Sequence, residues 1–332
     1  MPADMSDRTD FDNANRGFMG RLSPGVIKTP DGRVVFVAEA FVTATTGNAP
    51  DTVHPSLWRQ SQLTAIHGLF EVTDGIYQIR GMDLSNMTLV EGETGVIVID
   101  PLISAECAAA GLALYREHRG DRPVTAVIYT HSHIDHFGGV LGVVDADTDV
   151  SIVAPEHFLD HSVSENVYAG GAMLRRGMYY AGAGLSIGTE GAVGIGLGSG
   201  SSSGTVGLIA PTLDITHTGQ EEVLDGVRMI FQVTPGTEAP SEMNFLFPDR
   251  RALCMAETPH IISITCSPCA VLRYGTLGTG RATSRKRSRC SPTEPRSPSR
   301  PIIGRPGDAT MWSHSLPNSV TCTPISTTRH SG

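Results

Sequence analysis

The stretch Thr130-His131-Ser132-His133-Ile134-Asp135-His136-Phe137-Gly138-Gly139 decides how this chain is read. It sets three imidazoles and a carboxylate side by side, from His131 to His136. It follows Val124-Thr125-Ala126-Val127-Ile128-Tyr129, an apolar, β-branched run that reads as a buried strand. A loop leaving a buried strand is held rigidly at its root, which suits chemistry. Imidazole nitrogen and carboxylate oxygen are zinc ligands at about 2.0–2.2 Å. His131 and His133, two positions apart, can face one point from an extended turn. Asp135 and His136, beyond a bend, can face a second point. That spacing suits two metal ions sharing one water.

Working outward from this loop, the flanks read as strands and one long helix. Leu69–Val72 and Ile76–Ile79 flank the turn Thr73-Asp74-Gly75, and Asn86–Val90 and Val96–Asp100 flank Glu91–Gly95. Ser104 is placed to cap a helix that runs to about Arg119, with Gly120 just past its end. Strand, helix, strand and then an active loop is the arrangement of an α/β unit. Downstream, Val150–Ala154 reads as a strand and Glu165–Arg176 as helical in its body. Residues 181–204 are rich in Gly and Ser and read as a long loop, a kind of segment that often forms a lid. Gly226–Val233 reads as a strand, and its following loop carries Glu238. Glu242 enters the next strand, and Glu257 closes a third. Upstream, residues 1–67 read as an arm wrapped on the main domain. It holds a hairpin at Asp31-Gly32 and a short helix opened by Ser56.

Composition narrows the class. An apolar content of 40% over 332 residues is enough for a core. The net charge of −9 argues against a nucleic-acid partner. It also conceals an asymmetry. Ten of the 25 basic residues but two of the 34 acidic ones, Glu294 and Asp308, follow Glu257, so that segment is +8 and the body is −17. Cys107 and Cys254 in the body make no disulfide framework. The N-terminus has neither the basic nor the apolar region of a secretion signal, and no run is long enough to cross a membrane. The expectation is a soluble cytoplasmic protein.

The His-rich loop resembles that of the metallo-β-lactamase superfamily. Several further stretches resemble its alkyl sulfatase branch: His54–Gln60, His67–Val72, Glu165–Arg176, Thr234–Phe245 and Cys254-Met255-Ala256-Glu257. The resemblance spans about residues 15–257 and implies an αβ/βα sandwich over residues 68–257. It implies hydrolysis of alkyl sulfate esters such as dodecyl sulfate by a water activated between two Zn2+ ions. His131, His133 and a glutamate would hold the first zinc, and Asp135 and His136 the second, with Glu257 bridging. Glu238 is favoured over Glu242 because it follows the C-terminal end of its strand. Asp135 and Glu257 are the expected catalytic carboxylates. Tyr168, Arg175 and Arg176 are expected to line the substrate pocket. Full-length relatives are expected to be homodimers. A thioesterase or lactonase of the same fold, or a non-catalytic remnant, is the alternative.

After Glu257 the resemblance stops. Residues 258–332 are basic and rich in Ser, Pro and Arg, and read as disordered. His260, His314 and His330 lie in no periodic pattern, and Cys266 and Cys269 lack a second pair. Thr258–Cys269 can be back-translated with permitted codons and read two bases later. It then gives Ala-Thr-His-Asn-Leu-His-Asn-Leu-Leu-Thr-Leu, which resembles what alkyl sulfatases carry after the Met-Ala-Glu motif. The same offset yields His-bearing sequence further along. The expectation is a single-base loss at about the codon after Glu257. It leaves the C-terminal half of the fold incomplete, the last metal-binding His missing and the chain inactive as written.

Overall fold

The computed structural model describes residues 7–257 and the backbone of residues 318–320. Apart from that backbone, the expected disordered, frame-shifted segment and its histidines and cysteines lie outside the described residues.

The chain opens with α1 (Thr9–Asn15), β1 (Phe18–Gly20), β2 (Val26–Lys28), β3 (Val34–Val37), α2 (Ala38–Ala44) and α3 (Pro55–Thr64). Next come β4 (Gly68–Thr73), β5 (Ile76–Arg80), β6 (Met87–Glu91), β7 (Val96–Ile99), α4 (Ala105–Arg119), β8 (Val124–Ile128) and β9 (Ser151–Pro155). Then follow α5 (Phe158–Val163), a π-helical turn at Ser164–Tyr168, α6 (Gly170–Tyr180) and β10 (Leu213–Ile215). The last elements are β11 (Glu221–Leu224), β12 (Val227–Val233), β13 (Met243–Phe247), β14 (Ala252–Cys254) and β15 (Asn318–Val320).

An eight-stranded sheet runs β1-β4-β5-β6-β7-β8-β9-β10, and a five-stranded sheet runs β11-β12-β13-β14-β15. In the large sheet the β1 end is antiparallel, while β7 to β10 are parallel. The crossover from β7 to β8 is α4, which ends at Gly120 with φ 89°. That left-handed conformation is the one a glycine adopts without Cβ strain.

Central strands bury both faces, which is why β7 and β8 read as unbroken apolar runs. Val96, Val98 and Val127 pack with α4 residues Cys107, Leu112 and Tyr115 in one core. Ile97, Ile99 and Ile128 face a second core between the sheets, against Phe231, Phe245 and Phe247. Truncating Phe245, fully buried there, should cost about 3–5 kcal/mol. The opposite face of the small sheet carries the row Ile230, Leu246 and Leu253. Among the described residues no helix follows β14 to cover it.

Two cap expectations are corrected. Ser104 precedes α4 but makes no side-chain cap. Its Oγ instead lies 2.8 Å from the Ser202 hydroxyl oxygen, in a hydrogen-bonded pair. α3 is capped by His54, whose Nδ1 accepts from Ser56 N at 3.3 Å, with Pro55 in its first turn. The long Gly/Ser-rich segment is strapped down at its far end. Asp83 accepts from Ser202 N at 2.9 Å and Ser202 Oγ at 2.6 Å, and Gly207 N donates to Gly138 O at 2.7 Å. Burial pushes the Asp83 carboxyl up to about 6 against those bonds.

Candidate metal centre

Four strand ends meet where the two sheets converge. Asp100 follows β7, the loop 129–139 follows β8, the loop 234–242 follows β12, and Glu257 lies three residues past β14. Two backbone contacts stitch the sheets together here. Met243 N donates to Thr130 O at 3.0 Å, and His131 and Glu242 form an isolated antiparallel bridge.

Asp100 is fully buried and organises the His-rich loop from beneath. It accepts from Thr130 N at 2.8 Å, from Thr130 Oγ1 at 2.7 Å and from His136 Nδ1 at 2.8 Å. The Thr130 hydroxyl, having donated to Asp100, is left as the acceptor 3.0 Å from His131 Nδ1. Both rings are therefore held with a proton on Nδ1 and with Nε2 turned to the cluster.

His131 Nε2 lies 3.1 Å from His133 Nδ1. Glu238 Oε1 lies 3.9 Å from that same His133 nitrogen. His136 Nε2 is flanked by Asp135 Oδ2 and Glu257 Oε1, both at 3.3 Å. Ligand atoms of His131, His133 and Glu257 lie within 4.8 Å of one another, as do those of Asp135, His136 and Glu257. Glu257 belongs to both groups. Its burial, with 6% exposed, removes the option of turning to solvent.

The donor set fits a divalent cation on an observation of the fold itself. His136 Nε2 is buried and makes no hydrogen bond. A buried nitrogen lone pair between two carboxylates is costly without a cation. When no metal is present, a proton takes that place. Burial alone pulls the His136 pKa down, but Asp135, Asp100 and Glu257 outweigh it and hold it well above the ordinary value.

Glu242 has a different task. Its Oε2 accepts from Thr237 Oγ1 at 2.5 Å, Glu238 N at 2.7 Å and Ala239 N at 3.1 Å. It thus shapes the loop that carries Glu238. Tyr168, Arg175 and Arg176 are not brought to the cluster. Tyr168 is 85% exposed on the π-helical turn, and both arginines are exposed on α6, which buries none of its residues. Arg176 lies over the Tyr180 ring, 5.3 Å from its centroid. Sequence reasoning missed Asp100 and the pairing role of Thr130. The available signal was a lone carboxylate ending an apolar strand just before Pro101.

The metallo-beta-lactamase superfamily model matches residues 80–237, the span that holds β7, α4, β8 and the His-rich loop. A solved stereoselective inverting sec-alkylsulfatase, Pisa1 from Pseudomonas sp., superposes with a TM-score of 0.73 at 43% identity, over 76% of this chain and 40% of that one. The chain has the metallo-β-lactamase fold. Relatives that it matches over about three quarters of its length are sulfatases. It is 50% identical over 256 residues to the alkyl/aryl-sulfatase BDS1 of Saccharomyces cerevisiae, covering 76% of this chain and 40% of the relative. It is 52% identical over 256 residues to a linear primary-alkylsulfatase of Pseudomonas sp., covering 76% and 38%. The chain thus spans about 40% of the length of the curated relatives it matches. No described helix of this metallo-β-lactamase domain is long and apolar enough to cross a membrane.

Proposed function

We propose that this domain belongs to a hydrolase that cleaves alkyl sulfate esters, such as dodecyl sulfate, to alcohol and sulfate. The observation that carries the reading is Glu257, shared between two ligand groups on the converging strand ends of an alkylsulfatase-like chain. His131, His133, Glu238 and Glu257 would hold one zinc, and Asp135, His136 and Glu257 the other. Two bound cations would supply Lewis acidity, drawing charge from the sulfate oxygens and lowering the pKa of water.

The chain's own groups do the rest. Asp100 holds His136, and through Thr130 also His131, in the tautomer that presents Nε2 inward. Asp135 and Glu257, both within 3.3 Å of His136 Nε2, would be the carboxylates that accept the proton of an attacking water. Tyr168, Arg175 and Arg176 would meet the substrate from α6 and the turn before it. The arginines suit a sulfate head group, and exposed Leu174 and Met178, one helical turn apart, suit an alkyl tail.

The Asp135–His136–Glu257 group has three protein ligands, one short of a closed tetrahedral site. The frame proposed to continue after Glu257 supplies histidines for that position. Purified 332-residue chain and a version with one base restored after the Glu257 codon should be assayed for zinc content and dodecyl sulfate turnover. The restored chain should turn over substrate and the 332-residue chain should not. Clear turnover by the latter overturns the proposed frame loss, and zinc-free restored protein overturns the metal reading.

A further inference from the structure

His136 and His131 each have an outer-nitrogen partner within the fold, and His133 needs one too. Its Nδ1 is already committed inward, 3.1 Å from His131 Nε2 and 3.9 Å from Glu238 Oε1. Its other nitrogen, Nε2, points the opposite way, and the charged group facing it is Glu165, with Oε1 at 3.9 Å. Metal-bound imidazoles generally rely on such an outer carboxylate to fix ring orientation and proton position.

We propose that Glu165 is the positioning residue of His133, holding its proton on Nε2 so that Nδ1 stays turned toward the metal. This rests on the metal reading of the cluster. The segment that carries Glu165 is built to keep it there. Phe158 of α5 stacks on Tyr129, with ring centroids 4.9 Å apart, and meets Phe137 edge-on at 5.4 Å. Those two rings flank the His-rich loop on either side. The Ser162 hydroxyl donates to Ser132 O at 3.4 Å, beside His133 itself. The chain then widens into the π-helical turn Ser164–Tyr168, stapled by Asn166 Nδ2 to Ser162 O at 2.9 Å. π-turns recur at functional sites because the extra residue re-aims a side chain. Here the turn carries Glu165 back to His133, while Tyr168 at its end points to solvent. At 3.9 Å the carboxylate is within ion-pair range of the ring and one small side-chain rotation from hydrogen-bond distance.

The test compares zinc affinity by chelator competition for the wild-type chain, Glu165→Ala, Glu165→Gln and Asn166→Ala. The Co2+ absorption spectrum and the His133 ring-nitrogen NMR tautomer are read on the same samples. Glu165→Ala should bind zinc about 10–100-fold more weakly, with an altered Co2+ spectrum and mixed His133 tautomers. Glu165→Gln, isosteric and still an acceptor, should fall between Glu165→Ala and wild type, and it carries the test should the alanine variant not fold. Asn166→Ala removes one staple of the turn but keeps the carboxylate, so it should lose clearly less affinity than Glu165→Ala. Wild-type affinity and spectrum in Glu165→Ala overturn the proposal. Equal losses in Glu165→Ala and Asn166→Ala also overturn it, because the turn and not the carboxylate is then responsible. A wild-type chain that takes up no zinc overturns the metal reading beneath it instead.

Discussion

His136 and His133 leave the same short loop and end in opposite surroundings. The His136 side chain is 1% exposed and held by carboxylates that come with the strands: Asp100 after β7 and Glu257 after β14. The His133 side chain is 27% exposed, and its acidic neighbours, Glu238 and Glu165, each 3.9 Å away, come from a loop and a π-turn. One half of the cluster is thus set by the core, and the other by irregular segments that other contacts hold in place. In the first half, electrostatics demand a cation. In the second, position must be maintained residue by residue.

The same substitution at the two outer carboxylates separates these halves most sharply. Asp100→Ala leaves Thr130 and an imidazole unpaired in a fully buried site, so it should cost about 3–5 kcal/mol in urea denaturation. Glu165→Ala, at a carboxylate 24% exposed, should change stability by less than about 1 kcal/mol. Equal losses would erase the distinction. Within the outer half, Glu242→Ala strands Glu238 N and Ala239 N in a buried loop and should cost about 1–3 kcal/mol. Glu238→Ala should leave the melting temperature of the metal-free chain nearly unchanged while lowering zinc uptake. If Glu242→Ala instead abolished zinc uptake with no loss of stability, Glu242 would be the ligand and Glu238 its neighbour.

How much of this was legible in the sequence follows from where the contacts lie. The His-rich loop was readable because its donors are contiguous and follow a strand whose period is plain. The sandwich was readable for the same reason: β7, β8, β12 and β13 carry unbroken or alternating apolar runs. Asp100 was not, because its partners Thr130 and His136 lie some thirty residues on, and its place at the end of an apolar strand says nothing of what it will hold. Glu165 stood in a stretch that resembles alkyl sulfatases, yet its task depends on a π-turn, and apolar periodicity does not encode one. Ser104 failed as a cap because Ser202, far along the chain, engages its hydroxyl. Tyr168, Arg175 and Arg176 were singled out because they lie in the stretch that resembles alkyl sulfatases and could line a pocket for the sulfate or its chain. No described contact ties α6 to the cluster, so their part in binding is a matter for substrate kinetics.

The pH dependence of stability shows why the buried half needs its cation. In the metal-free chain His136 has a pKa well above its unfolded value near 6.5. Its folded form therefore binds the proton more tightly than its unfolded form. Linkage then makes its contribution to stability complete below about pH 6.5 and lost as pH rises through the folded value, each tenfold difference in proton affinity being about 1.4 kcal/mol. Metal-free protein should consequently unfold at lower urea at pH 9 than at pH 6. Zinc competes with that proton for Nε2, so zinc affinity should move the other way and rise with pH, one proton leaving per metal bound in this half. Calorimetric titrations in buffers of different ionisation enthalpy count that proton directly. Glu165→Ala should leave the count for the His136 half unchanged, since the outer carboxylate touches the other ring. A proton count that falls to zero in wild type would mean that His136 is already neutral, and that its carboxylates are poised for something other than a cation.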